Sequence, residues 1–142
     1  MLKYKVINKV KFEDEFMINI EKIDNIAASR KYPPTPPQWQ AIAITGADIL
    51  VAAAAGSGKT EVLSERIARK VASARWDIDR LLVLTFTTAA AKNMIVRIED
   101  KISERLLSTN NEEDLLYLRK QRMLMNDAYI STIDSFCLNV LK

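Results

Sequence analysis

Residues 53 to 60, Ala53-Ala54-Ala55-Gly56-Ser57-Gly58-Lys59-Thr60, carry the densest chemical signal in this chain. Small residues followed by a lysine and a hydroxyl suit a loop whose backbone N–H groups converge on phosphate oxygens, whose ammonium neutralises them and whose hydroxyl holds magnesium. The chain has 3 glycines, and two of them, Gly56 and Gly58, fall here, where close backbone approach favours a missing Cβ. The pattern assigns the N–H groups of Ala55, Gly56, Ser57, Gly58 and Lys59 to a β-phosphate, the Lys59 ammonium to the β- and γ-phosphates and the Thr60 hydroxyl to Mg2+. Ala53 stands where the general pattern has glycine. Gripping a phosphate is not hydrolysing it, which also takes a carboxylate at a later strand end to help hold magnesium. No apolar strand here ends in Asp-Glu, and Asp77, Asp79, Glu99 and Asp100 read as helix-end or solvated charges. The pocket therefore lacks a Walker B acid.

The surrounding pattern supplies the elements such a loop needs. Asp48 to Ala52 is a short apolar strand, and helical spacing resumes at Glu61 and runs to about Ala74. Before the strand, Gln38 to Ile44 reads as a short helix closed by Thr45-Gly46. After it, Leu81 to Phe86 is apolar on both faces, as an interior parallel strand would be. A helix from Thr88 to about Leu107 carries Ile95, Ile98 and Ile102 on its stripe, and Ser108-Thr109-Asn110-Asn111 breaks it. A helix from Glu112 to Leu124 puts Leu115, Leu116, Leu118 and Leu124 on its apolar side, Ala128 to Thr132 is a third strand, and a last helix opens near Ser135. This β-α-β-α-α-β-α order predicts an α/β fold, a parallel sheet flanked by helices.

Residues 1 to 30 are a separate lead-in: a short strand, then a helix with Phe12, Phe16, Ile20 and Ile23 at helical intervals. It packs on the sheet or extends as an arm. The proline cluster Tyr32-Pro33-Pro34-Thr35-Pro36-Pro37 predicts a boundary, giving a lead-in over 1–32 and a main domain over 33–142.

Composition narrows the chemistry further. The chain has no histidine and one cysteine, which excludes a disulfide framework, a Cys/His zinc cluster and imidazole catalysis from these residues. With Lys+Arg 21 against Asp+Glu 18, the small basic excess is compatible with a polyanion partner but reads first as ordinary solubility charge. No run reaches membrane-span length, and the start Met1-Leu2-Lys3-Tyr4-Lys5 leads into no uninterrupted apolar segment, so no membrane is expected and a cytoplasmic location is the default.

Three segments in order resemble superfamily-one DNA helicases of the UvrD/Rep group, and most closely the AddA-type helicase–nuclease subunits. Thr35-Pro36-Pro37-Gln38-Trp39-Gln40-Ala41-Ile42 resembles that family's Q motif, which implies that Gln38 contacts adenine and that the nucleotide is ATP with Mg2+. ILVAAAAGSGKTEVLSERI resembles motif I, with Glu61 where many relatives have arginine. LLVLTFTTAAAKNMIVRI resembles motif Ia and implies that Thr85, Phe86, Thr87 and Thr88 lie on single-stranded DNA, by stacking and by hydroxyl–phosphate bonds. From residue type alone, Phe86 would be a buried strand end. Lys92-Asn93 departs from the usual Ala-Glu. AYISTIDSFCLNVLK resembles the stretch around motif Ib and makes Ser131, Thr132 and Ser135 phosphate contacts, whereas Asp134 replaces a histidine and should repel phosphate. Phe136 and Cys137 read as core, with Cys137 an inert buried thiol, and Arg119, Lys120 and Arg122 as a solvated face.

The resemblance implies a partial RecA-like P-loop NTPase domain: the ATP-binding N-terminal part of a bacterial, cytoplasmic, ATP-dependent helicase/nuclease subunit. Such proteins act on single-stranded DNA or DNA ends in double-strand break repair and recombination, with an AddB/RexB-type partner subunit. Family members continue into a Walker B Asp-Glu and a second motor domain, so unwinding is not expected of these residues alone. A rival reading is a non-enzymatic nucleotide- or DNA-binding module, or a truncated regulator. A third is an incompletely folded piece with an exposed sheet edge.

Overall fold

The structure is a computed structural model that describes residues 3–6, 25–46 and 48–142. The helix anticipated around Phe12 to Ile23 lies outside the described residues. Two compact units divide the chain, Met1–Arg66 and Ile67–Lys142.

In the first unit, strand β1 (Lys3–Val6) pairs antiparallel with β2 (Ile49–Ala52), in the register Lys3↔Ala52 to Val6↔Ile49. The short helix α1 (Asn25–Ala28) precedes the prolines, and α2 (Pro36–Ala43) begins within them. Proline can open a helix because the first N–H groups have no helical partner to lose. Thr35 donates its N–H to Gln38 Oε1 at 2.8 Å, the reach-back half of a capping box, so α2 starts two residues before the predicted Gln38. The chain leaves α2 through Gly46, whose φ of +71° is open to glycine without strain. Helix α3 (Lys59–Ala74) starts here, with its residues through Arg66 in this unit. A small core of Ala27, Trp39, Ala41, Ile42 and Val62 joins α1, α2 and the first turn of α3.

In the second unit, β3 (Leu82–Thr85) and β4 (Tyr129–Thr132) pair in parallel, Leu82↔Tyr129 through Thr85↔Thr132. The crossover runs through α4 (Thr88–Ser108) and α5 (Glu112–Leu124), and α6 (Ile133–Val140) follows β4. Val83 and Ile130 on the strands meet Met94, Ile98 and Ile102 of α4, Leu118 of α5 and Ile67 and Val71 of α3 in one core. Asn111, part of the predicted break, caps α5: its side chain accepts the Asp114 N–H at 3.1 Å.

The mixed α/β architecture with a parallel strand pair agrees with the sequence, but three particulars differ. Among the described residues the strands pair two by two, because the lead-in strand β1 takes up β2 from the antiparallel side. Strand β3 is covered on one face only: Val83 is 7% exposed, while Leu82 and Leu84 are 50% and 38% exposed. Leu116 of α5 and Leu107 of α4 also face outward, and the positions of these two helices that turn inward include Lys101, Arg105 and Gln121.

The connection after α3 is held by polar contacts rather than by apolar spacing. Arg75 adopts a left-handed φ of +55°, a conformation that a side chain resists. Its guanidinium bonds Asp114 Oδ1 at 2.5 Å and lies 4.6 Å from the Tyr117 ring centroid. Burial, and the nearby Asp77 carboxylate, push the Tyr117 hydroxyl pKa up. Gln121 is fully buried; it accepts the Ile78 N–H on Oε1 at 2.8 Å and donates from Nε2 to Asp77 Oδ1 at 2.5 Å. Replacing it by leucine keeps the volume and strands both partners, so Gln121→Leu should destabilise the chain by about 1–3 kcal/mol in urea unfolding. An unchanged unfolding midpoint would show that the bridge does not hold this connection.

Candidate functional site

Strand β2 ends at Ala52, and after six intervening residues α3 begins with Lys59 and Thr60 in its first turn. The backbone between them reverses tightly, with φ of +75° at Gly56 and +83° at Gly58. Such left-handed steps turn successive N–H groups to one side, and the N–H groups of a first helical turn have no intrahelical acceptor. At Gly58 the requirement is double: an added Cβ would also lie 3.0 Å from Gln38 Nε2.

The loop carbonyls face the other way and are collected by donors. Ala54 O accepts from Ser57 Oγ at 2.7 Å, from Ser57 N at 3.3 Å and from Lys59 Nζ at 3.0 Å. Lys59 Nζ also donates to Ala53 O at 2.6 Å. The lysine thus caps the loop's own carbonyls, and Lys59 and Thr60 are both exposed. Gln38, from α2, donates Nε2 to Ser57 O at 3.2 Å while Oε1 holds Thr35 N. The structure therefore brings Gln38, Ala55, Gly56, Ser57, Gly58, Lys59 and Thr60 together at one loop. Of the cradle N–H groups, that of Ser57 is turned to Ala54 O.

This donor set fits a phosphate: an ammonium, a left-handed glycine pair and a helix start, within one short loop. A magnesium ion held by the protein alone is a different matter. Among the described residues no group of three acidic or thiol side chains is placed to hold a metal ion.

The first turns of α3 are fixed by two arginines that the sequence pattern does not single out. Arg66 Nη1 donates to Ala41 O at 2.8 Å and Ile42 O at 3.2 Å at the C-terminal end of α2, where a helix presents its negative pole. Burial lowers the Arg66 pKa. Arg30 Nη1 sits 2.6 Å from Glu65 Oε2 and 3.9 Å from Glu61 Oε1.

The second unit brings the other sequence candidates together. Parallel pairing of β3 with β4 sets the starts of α4 and α6 side by side, with Thr85 opposite Thr132. Thr85 Oγ1 lies 3.1 Å from Thr87 O and 3.4 Å from Ser131 O. Thr87 caps α4 by accepting the Ala90 N–H at 3.1 Å. Thr132 caps α6 by accepting the Ser135 N–H at 3.2 Å, with its Oγ1 2.9 Å from Ser135 Oγ. Ser131 Oγ bonds Thr132 O at 3.2 Å. Most of these hydroxyls are thus engaged in building the two helix starts, while Thr88 opens α4 exposed.

Phe86 is 92% exposed, not the buried strand end that residue type alone suggests, because β3 stops at Thr85 and the next residue lies beyond the sheet. Cys137 is also exposed, against its expected place in a core. Helix α6 buries no residue; it meets β3 and β4 along one side, and Phe136 is half-buried there. Asp134 occupies the first turn of α6, where a carboxylate favours the helix dipole. The same charge disfavours a phosphate at that helix start.

No helix among the described residues is long and apolar enough to cross a membrane. Residues 35–142 match the UvrD/REP helicase N-terminal domain family. The chain is similar to an ATP-dependent helicase/nuclease subunit of Geobacillus thermodenitrificans, 54% identical over 110 residues that cover 76% of this chain and 9% of the relative. The protein of the same name in Bacillus anthracis is 52% identical, and one in Bacillus cereus 51%, each over 110 residues. The chain spans about a tenth of the length of these curated relatives, 9% in each case. The match begins at the capping threonine of α2 and runs through the phosphate-type loop and both strand ends, so the chain belongs to the UvrD/REP helicase N-terminal domain family.

Proposed function

We propose that this chain binds ATP with Mg2+ as the N-terminal part of an ATP-dependent helicase/nuclease subunit. Residues 33–142 would form part of a RecA-like P-loop NTPase domain, preceded by a lead-in over 1–32. The observation that carries this reading is the loop itself: two left-handed glycines, the Lys59 ammonium at 2.6 Å and 3.0 Å from loop carbonyls, and a helix start, in strand–loop–helix order. A phosphate bound at that loop would draw Lys59 from Ala53 O and Ala54 O, exchanging neutral acceptors for a charged one. Thr60, in the first turn, would reach magnesium carried in by the nucleotide, and Gln38 would lie beside the base. Bound ATP would supply the phosphoanhydride; these residues would bind and orient it. Cleavage calls for a further carboxylate on the metal, so binding without turnover is the expectation for these residues alone.

At the second unit, the exposed Phe86 ring and the adjacent starts of α4 and α6 support contact with single-stranded DNA, through stacking and through Thr85, Thr87, Thr88, Ser131, Thr132 and Ser135. Within a longer protein of the relatives' kind, that contact would serve double-strand break repair and recombination in the bacterial cytoplasm, on single-stranded DNA or DNA ends, beside an AddB/RexB-type partner subunit. Asp134 favours a second reading: with a carboxylate on one of the two helix starts, DNA is held weakly and the chain acts as a nucleotide-binding module or truncated regulator.

Calorimetric titration of the full chain with Mg-ATP tests the first site. Binding should be saturable and stoichiometric, and Lys59→Ala should weaken it by about tenfold or more, the loss of a charge-assisted bond to phosphate. Absence of binding by the unmutated chain would refute the nucleotide reading.

Fluorescence anisotropy on a labelled oligothymidylate tests the second. Phe86→Ala should reduce affinity by about tenfold, consistent with one lost base stack, while Asp134→Asn should increase it at low salt. Equal affinity of the unmutated and Phe86→Ala chains would remove the stacking role.

A further inference from the structure

Glu65 is an anomaly on α3. Its side chain is 1% exposed, and it lies one helical turn from Glu61, whose carboxylate carries the same charge. A carboxylate buried that deeply is stable only when paired and hydrogen-bonded. One partner comes from outside the family-matched stretch, which starts at residue 35: Arg30, at the end of the lead-in, bonds Glu65 Oε2 at 2.6 Å and stands 3.9 Å from Glu61 Oε1. Arg30 is itself largely covered, at 19% side-chain exposure. It is anchored a few residues earlier by Ala27, which packs with Trp39, Ala41, Ile42 and Val62.

We propose that Arg30 is a positioning residue for the phosphate-binding loop, a brace from the lead-in that sets the first two turns of α3. This rests on the nucleotide reading of residues 53–60. Two consequences follow from the geometry. Arg30 fixes the helix start whose N–H groups would receive the phosphates, while Gln38 grips Ser57 O just before that start. It also offsets two carboxylates on the first turns of the helix, at positions where uncompensated negative charge would oppose a polyphosphate. The lead-in is then part of the nucleotide site rather than an appendage to it.

Removing Arg30 alone would take a close cation from a buried carboxylate and could unfold the chain, so the decisive variant neutralises both members of the pair. Arg30→Gln/Glu65→Gln, checked for cooperative melting above the assay temperature, should bind Mg-ATP about tenfold more weakly than the unmutated chain. Arg30→Lys, which keeps the charge, should remain within about threefold. Unmutated affinity in the folded double variant would overturn the proposal. Should the unmutated chain fail to bind Mg-ATP, the nucleotide reading falls, and the brace is then decided by hydrogen exchange without nucleotide. The amides of Val62 to Arg66, the first that bond back within the helix, should exchange about tenfold faster in the double variant, and unchanged protection there would overturn the brace on its own.

Discussion

A chain that turns its N–H groups toward one point must leave its carbonyls pointing away, and those carbonyls need donors. In the loop from Ala53 to Gly58 that constraint is met by Lys59, whose ammonium takes Ala53 O and Ala54 O, and by Ser57, whose hydroxyl takes Ala54 O. The residue suited to meet a phosphate thus also supports the shape of the loop around it. The glycines permit the left-handed steps, and Gln38 holds Ser57 O from an element outside the loop. Under the proposed function, ligand binding would exchange one set of acceptors for another.

The second unit meets a related constraint differently. Two parallel strands end together, and each hands its chain to a helix whose first N–H groups need acceptors. Thr87 and Thr132 provide them with their own hydroxyls. Side chains that could bond phosphate are therefore partly occupied, and what stands free of the sheet is an aromatic ring, Phe86. The balance favours stacking over hydroxyl contacts as the main source of any hold on a nucleic acid. Asp134 tilts it further, because a carboxylate that steadies the start of α6 opposes an anion there.

Local elements are legible in the sequence because their signals are local. Apolar spacing places α3, α4 and α5 to within a residue or two, and the glycine-lysine-threonine pattern locates the loop and its flanking strand and helix. Contacts between distant residues have no such signal. Nothing in Lys3 to Val6 announces antiparallel pairing with β2, and nothing near Arg30 announces a carboxylate on α3. The apolar run from Leu81 to Phe86 suggests a strand covered on both faces, yet apolarity alone does not say which neighbours cover it. Phe86 and Cys137 depart from expectation for that reason: burial depends on what packs against an element, and periodicity reports only which residues share a side. Glu61 and Glu65, four apart on one helix beside Lys59, are the available hint that a cation must approach from elsewhere.

The most direct measurement is a two-dimensional NMR titration of the isotopically labelled full chain with Mg-ADP, following backbone amides and the side-chain amide of Gln38. Shifts confined to residues 55–60 and the Gln38 carboxamide, saturating together with one affinity, are the expected result. Saturable shifts that fall elsewhere and leave the Gly56–Thr60 amides unmoved would contradict the assignment of this loop as the phosphate site.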